Sequence, residues 1–350
     1  MSERFHLPAG QRVIVTGAAG QDARYLIPLL IEDGAEVHAI VRRADPGIPP
    51  QAVVHCADLL DASFDVNRLL DSIRPDYIFN LAGQSSVRES ISAPQISWAV
   101  NADWTARLLE AVRRNSPASR LYQASSSEMF GRGEGVHDED SPLDPVTPYA
   151  ASKAAAHVLC RAYRNAYGLR IACGILFNHE SKFRGAAFLT AKVAAHVRAL
   201  QSRESTDAPL RVGNLEVKRD WGSAEEFAYG ILLIAAQTSV RSDADRADNY
   251  RDYVLATGSL TSVQQLVDRA FVLGGFDLTW ELEENGLGRA FFRGTRKLAV
   301  ESAPEFHRAG EPRAIAGNPA RALRELGWRP SGSIDGFLSE MVSAQPLTWK

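Results

Sequence analysis

Cysteine is scarce. Cys56, Cys160 and Cys173 are the three in 350 residues, and they stand at no spacing that a disulfide framework or a metal site would need. Their apolar neighbours make them read as buried free thiols of a reducing compartment. No run of about 18 apolar residues occurs, so the chain offers no candidate membrane span. Residues 1–10 lack the apolar core of a signal peptide, and a cytoplasmic protein is the expectation. Blocks of like charge are missing too. With 39 Lys and Arg against 42 Asp and Glu, net charge −3 and scattered arginines, there is no footprint for nucleic acid or an anionic membrane. Internal repeats and low-complexity segments are likewise absent.

What is present is an ordinary globular composition, 45% hydrophobic and 23% charged, at a length suited to one large or two modest domains. The first half alternates β-branched runs with helical segments. Strands are predicted at Arg12–Thr16, Glu36–Val41, Val53–Cys56, Tyr77–Leu81, Arg120–Ala124 and Leu169–Phe177. Helices are predicted over Tyr25–Ile31, with Pro28 in its first turns, and over Val66–Ile73, Ala99–Arg114 and Tyr149–Tyr167. Strands separated by helices imply βαβ crossovers and a doubly wound parallel sheet, an α/β fold. The second half, richer in Gly, Pro and Asn turns, fits a smaller α/β substrate domain. The expected division is residues 1–178, with part of 216–258 returning to them, against 179–350.

Gly17-x-x-Gly20-x-x-Ala23 falls directly after the first strand and opens the first helix. Glycine there permits a tight turn and close approach to a pyrophosphate, and the helix start offers free N–H groups and a positive dipole end. Ala23 stands where a third glycine would pack helix against sheet. The second strand ends in Val41-Arg42-Arg43, without the carboxylate that would accept a ribose 2′-hydroxyl. Arginine at that place accommodates a 2′-phosphate, which favours NADP over NAD. Asp58 and Leu59, after the third strand, are placed to meet the adenine edge. Tyr149 and Lys153, at i and i+4, share one helix face. Lys153 is expected to set its ammonium beside the phenol and lower a pKa that is ordinarily near ~10, fitting Tyr149 for acid–base work.

Across nearly the whole chain these blocks resemble the extended short-chain dehydrogenase/reductases, and within them the GDP-mannose 4,6-dehydratases. The resemblance is carried by Gly17-Ala-Ala-Gly-Gln-Asp22, Val37-His-Ala-Ile-Val-Arg-Arg43, Asn80-Leu-Ala-Gly-Gln-Ser85, Tyr122-Gln-Ala-Ser-Ser-Ser-Glu128, Gly174-Ile-Leu-Phe-Asn-His-Glu-Ser181, Gly213-Asn-Leu215, Lys218-Arg-Asp-Trp-Gly222, Ala256-Thr-Gly258 and Leu326-Gly-Trp328, with Arg308 to Glu311. It implies oxidation of a nucleotide-linked hexose at C4, loss of water across C5 and C6, and return of hydride to C6. Tyr149 would take the C4 hydroxyl proton, Ser126 hold the C4 oxygen, Glu128 serve as base at C5 and then as acid, and Lys153 bind the nicotinamide ribose. Cofactor contacts would fall to Gly17, Gly20, Gln21, Asp22, Arg42, Arg43, Asp58, Leu59, Leu81, Ala82, Gln84 and Arg184, besides Tyr149 and Lys153. Substrate contacts would fall to Ser85, Ser126, Asn178, Lys192, Asn214, Arg219, Arg308 and Glu311. His179 and Glu180 lie together, yet with a single histidine they fit a structural loop, and no metal is implied.

The chain departs from the family at Ser126, where threonine is usual, at Ser86, where the family has histidine, and at Lys182-Phe183 before Arg184. Only Ala44 to Ala52 separate Arg43 from the third strand. The family carries a longer basic loop there that builds a tetramer, so a homodimer through the helices at Ala99–Arg114 and Tyr149–Tyr167 is expected. An epimerase of the same fold is the alternative; it needs Tyr149 and Lys153 but no dehydrating Glu128. On cofactor choice, an Arg42→Asp/Arg43→Ala variant should bind NAD better than NADP in fluorescence titration. Equal affinity of the unmodified protein for the two would contradict the arginine reading.

Overall fold

A computed structural model describes residues 4–202, 208–237, 250–306 and 312–344. In chain order the elements begin β1 (Arg12–Thr16), α1 (Gln21–Glu32), β2 (Glu36–Val41), β3 (Val53–Cys56), α2 (Val66–Ile73), β4 (Tyr77–Asn80), α3 (Val87–Ser92) and α4 (Pro94–Trp98). A π-helical turn, Ala99–Asp103, joins α4 to α5 (Trp104–Asn115). Then come β5 (Arg120–Ser126), a 3₁₀ turn at Ser127–Phe130, β6 (Gly135–His137), α6 (Pro148–Tyr167), β7 (Arg170–Leu176), β8 (Asn178–Glu180) and α7 (Leu189–Gln201). The remainder holds β9 (Leu210–Val212), β10 (Lys218–Arg219), β11 (Trp221–Ser223), α8 (Ala224–Ala235), β12 (Tyr253–Leu255), β13 (Thr261–Ser262), a helix at Val263–Leu273, β14 (Leu278–Leu282), β15 (Gly288–Phe292), β16 (Leu298–Ser302) and β17 (Ala314–Gly317). Helices at Ala320–Leu326 and Ile334–Ser343 close the described chain.

Seven parallel strands make the main sheet, in the order β12-β7-β5-β4-β1-β2-β3. Their inner residues are apolar on both faces; Val13, Ile14 and Val15 are all buried, as a sheet covered by helices on each side requires. The order reverses between β1 and β4, so a crevice opens at their carboxyl ends, where open α/β sheets bind ligands. One apolar core joins β1, α1 and α8 with Trp328. A second, between α7, the Val263–Leu273 and Ile334–Ser343 helices and β14–β16, is built from residues after 190. Among the described residues no helix is long and apolar enough to cross a membrane.

Three local expectations change. The first helix starts at Gln21, which makes Pro28 its eighth residue; Pro28 faces solvent, where the carbonyl left without an N–H can meet water. The helix expected to begin at Ala99 begins with the π turn, a distortion that apolar periodicity does not reveal. Cys160 and Cys173 are buried, but Cys56 is exposed, because β3 is the sheet's edge strand and lacks a covering helix on that side.

A buried carboxylate ties the far end of α6 to the sheet. Asp252, just before β12, accepts from both terminal nitrogens of Arg164, at 2.8 and 3.0 Å, and from the Cys173 N–H at 3.0 Å. Burial would raise its pKa, yet Arg164 and the other donors hold it below the ordinary value of 3.8. Its contribution to stability is therefore present above that range and lost as pH falls through the lowered value. Asp252→Ala leaves a buried guanidinium uncompensated and should cost about 3–5 kcal/mol, read as a lower melting temperature. An unchanged melting temperature would show that Arg164 finds another anion.

Candidate active site

The site is assembled at the carboxyl ends of β1, β4 and β5. Gly17, which follows β1, has φ +67, and an added Cβ would come within 2.8 Å of the Ala82 Cα and N. Two backbone segments thus pass at a separation only glycine allows. Gly20 precedes α1 without a side-chain cap, leaving first-turn N–H groups for an incoming anion. This cradle fits a dinucleotide pyrophosphate. Gln21 and Asp22 are partly committed within the protein. Gln21 Nε2 donates to the His179 carbonyl at 2.9 Å, and its Oε1 accepts from Ser181. Asp22 lies 2.9 Å from His179 Nε2. Burial pushes the Asp22 carboxyl up, but His179 and Arg184 outweigh it and hold its pKa below 3.8. His179, stacked on Phe227 with its Nδ1 at the Phe177 carbonyl, is therefore a structural link between α1 and β8.

Arg42 and Arg43 are exposed at the end of β2. Asp58 is exposed as well and accepts from the Leu60 N–H. The Leu59 side chain instead packs into the core around α2 and α5, and its carbonyl accepts from Arg107. Leu59 can therefore offer an adenine only its backbone edge. Arg184 sits against Glu180, Nε to Oε2 3.1 Å, with its guanidinium 3.8 Å above the Phe188 ring.

Thr147 caps α6 by accepting from the Ala150 N–H at 3.1 Å, and Pro148 fills the first position, so Tyr149 enters on a fixed backbone. Tyr149 and Lys153 do share a buried face. Lys153 Nζ, however, donates to the Ala124 carbonyl at 2.6 Å. Burial raises the Tyr149 pKa to about 12, although the nearby Ser126 side chain acts to lower it, and lowers that of Lys153 to about 8. The expected lysine-lowered phenol is thus not a property of the protein by itself. Desolvation exceeds any help from the ammonium. Ser126 ends β5 and accepts from the Glu128 N–H at 3.3 Å, and this turn brings the half-buried Glu128 close enough for its charge to act on Tyr149.

Asn101 was not singled out from the sequence. Its Oδ1 accepts from the Gln84 N–H at 3.0 Å, while its Nδ2 donates to the Gln84 carbonyl and to Ser152 Oγ. It joins the loop after β4 to α6, and the π turn is what points it there. Ser85 is exposed beside Ser86, which caps α3 by accepting from the Glu89 N–H. Asn178 lies on β8, paired with Trp221 of β11.

The remaining expected substrate residues belong to other elements. Lys192 donates to the Arg211 carbonyl and lies 4.1 Å from the centre of the Phe306 ring. Asn214 borders a cavity of about 590 Å³ with Lys218 and Arg313. Arg219 is buried and donates to the carbonyls of Lys218 and Pro312. Its neighbour Asp220 accepts from Thr257, Gly258 and Gly317. Arg308 and Glu311 lie outside the described residues.

Residues 14–341 match the family model for GDP-mannose 4,6 dehydratase. A GDP-mannose 4,6-dehydratase of Sinorhizobium fredii (strain HH103) is 35% identical, over 94% of this chain and 95% of its own. GDP-mannose 4,6 dehydratase 1 of Arabidopsis thaliana is 37% identical, over 94% and 88%. Among solved structures, RMD from Pseudomonas aeruginosa complexed with NADPH aligns with a TM-score of 0.72 at 22% identity, covering 95% of this chain and 98% of that one. MoeE5 in complex with UDP-glucuronic acid and NAD aligns with a TM-score of 0.75 at 24% identity, covering 95% and 97%. At those identities the structural likeness is one of fold.

Proposed function

The chain belongs to the GDP-mannose 4,6-dehydratase family, and from that premise we propose that it dehydrates GDP-mannose to the 4-keto-6-deoxy sugar with NADP as cofactor. The observation that carries the reading is the meeting of Ser126, Glu128, Tyr149 and Lys153 at the carboxyl end of β5. NADP, when bound, would supply the hydride acceptor and donor. The Gly17–Gly20 turn and the α1 start hold its pyrophosphate, Arg42 and Arg43 its 2′-phosphate, with Leu81, Ala82, Gln84 and Arg184 along its length.

Ser126 and Tyr149 grip the C4 oxygen, and Tyr149 takes the hydroxyl proton. Lys153, with its pKa lowered to about 8, is still a cation at neutral pH and favours the charged phenol once a ligand replaces the lost water. The ketone acidifies C5–H; Glu128 removes that proton and then protonates the departing C6 hydroxyl. Asn178 reaches the diphosphate, Arg219 and Arg308 clamp phosphate or ribose oxygens, and Lys192 and Glu311 line the nucleotide end, with Ser85 and Asn214 as further substrate contacts; guanidinium suits bidentate phosphate contacts. Residues 1–178, with part of 216–258, serve the cofactor and 179–350 the nucleotide sugar, a division supported by the separate apolar core built from Val193 onward, although Ala322, Leu326 and Trp328 pack into the first core. The buried thiols Cys160 and Cys173 suit a reducing compartment, the cytoplasm.

We further propose a homodimer through the α5–α6 face, supported by exposed Val158 and Tyr167 on α6. Light scattering at micromolar concentration should give twice the chain mass, whereas a tetramer or a monomer would remove that proposal.

Two variants separate the chemical roles. Tyr149→Phe should bind both ligands yet never reduce NADP. Glu128→Gln should accumulate NADPH and a 4-keto hexose that keeps its C6 hydroxyl, with product formation down by about 10²–10⁴-fold. Near-normal turnover by Glu128→Gln would instead favour the epimerase.

A further inference from the structure

The buried face of α6 continues past Lys153. One turn further along it carries His157, which lies 2.9 Å from Ser125 through Nδ1 and Oγ. Its Nε2 is 3.8 Å from Asp252, and the Cys173 thiol lies close to the ring. Burial alone would lower the His157 pKa; Cys173 and Asp252 outweigh it and raise the value above 6.5. His157, Cys173 and Asp252 bring donor atoms within 4.8 Å of one another, close enough for a metal ion. Arg164, however, already lies on both Asp252 oxygens, and a second cation there would meet its charge. The cluster is a network of buried polar and charged groups with its cation in place.

That network runs from Arg164 through Asp252 and His157 to Ser125, one residue before Ser126. Ser125 meets His157 of α6, while the next residue, Ser126, ends β5 and accepts from the Glu128 N–H. Two bonds one helical turn apart therefore pin α6 to β5: Lys153 to the Ala124 carbonyl and His157 to Ser125 Oγ. One bond would leave the helix free to pivot; two fix its rotation and its axial position together.

We infer that His157 is a positioning residue which, through Ser125, sets the Ser126–Glu128 segment against Tyr149 and Lys153. The inference rests on the proposed assignment of those four residues to the chemistry. Small misplacements of reacting groups cost rate out of proportion to stability.

The test compares His157→Leu, His157→Gln and Ser125→Ala by steady-state kinetics with GDP-mannose and NADP, and by crystallography. Leu cannot hydrogen-bond, so kcat should fall about 10–10²-fold, with KM moved less than about twofold. Gln keeps a donor and an acceptor and should stay within about threefold of the unmodified rate. Ser125→Ala, which removes a single oxygen and spares the fold if Leu does not, should reproduce the Leu loss, with no further loss when the two are combined. An unchanged kcat in Ser125→Ala, or a loss confined to KM, overturns the inference. If the unmodified protein leaves GDP-mannose untouched, the proposed function fails separately, and positioning is read from the crystal structures. Movement of the Ser126–Glu128 segment relative to Tyr149 in His157→Leu and Ser125→Ala then supports it, and an unmoved segment overturns it.

Discussion

Lys153 gives its ammonium to the Ala124 carbonyl, 2.6 Å away, at the level where the sheet loses a neighbour. β4 pairs with β5 only as far as Asn80 opposite Gln123. From Ala124 onward β5 has no strand on that side, and a buried carbonyl without a partner is costly. Lys153 fills the vacancy, joined by Gln123 Nε2 at 3.0 Å. The same early end of β4 frees the backbone around Ala82 to pass close to Gly17. The close pass of the backbone at Gly17 and the seat of Lys153 thus stem from one cause: strands of unequal length in a parallel sheet.

Neighbouring side chains hold that edge open. Asn80 receives the Thr16 hydroxyl at 2.7 Å and the Trp104 indole N–H at 2.9 Å, and donates to Gln123 at 2.7 Å. Polar groups buried at the ends of β1, β4 and β5 satisfy one another, so no further strand residue is needed to close them. Thr16 also accepts from the Ala82 N–H at 3.2 Å, which links this cluster to the glycine turn.

Much of the sheet was legible in the sequence because strands such as Arg12–Thr16 and Glu36–Val41 are short runs rich in β-branched residues and bounded by turn residues. The glycine turn and the Tyr149–Lys153 pair were legible because their meaning depends on spacing alone. Asn101 and His157 were not. Each sits in a helical stretch whose periodicity announces only a buried face, and each acts on a backbone or hydroxyl far along the chain. β12 escaped notice for a related reason: three residues, Tyr253–Leu255, carry no period, and only the edge of β7 gives them a partner. The Tyr149 pKa was misjudged because spacing reveals the nearby cation and conceals the desolvation. With the phenol raised to about 12 and the ammonium lowered to about 8, burial acts on both groups against the charged forms that chemistry needs.

The short connection after β2 follows a similar logic. Asp45 closes it by accepting from the Gly47 N–H at 2.7 Å, and pairs with Arg24 of α1 at 2.9 Å, both side chains largely buried. An acidic group this close to Arg42 and Arg43 could have cancelled their charge toward a 2′-phosphate. Arg24 neutralises it instead, and the Phe183 ring, 5.3 Å from the Arg24 guanidinium, backs the pair. Phe183 and the turn that Asp45 closes meet at Arg24. The strand that follows this turn, β3, is the edge of the sheet, with Val53, Val54 and Cys56 open to solvent. In the proposed reading the positive charge that selects NADP is therefore supplied by this chain alone, on a turn fastened to the helix that receives the pyrophosphate.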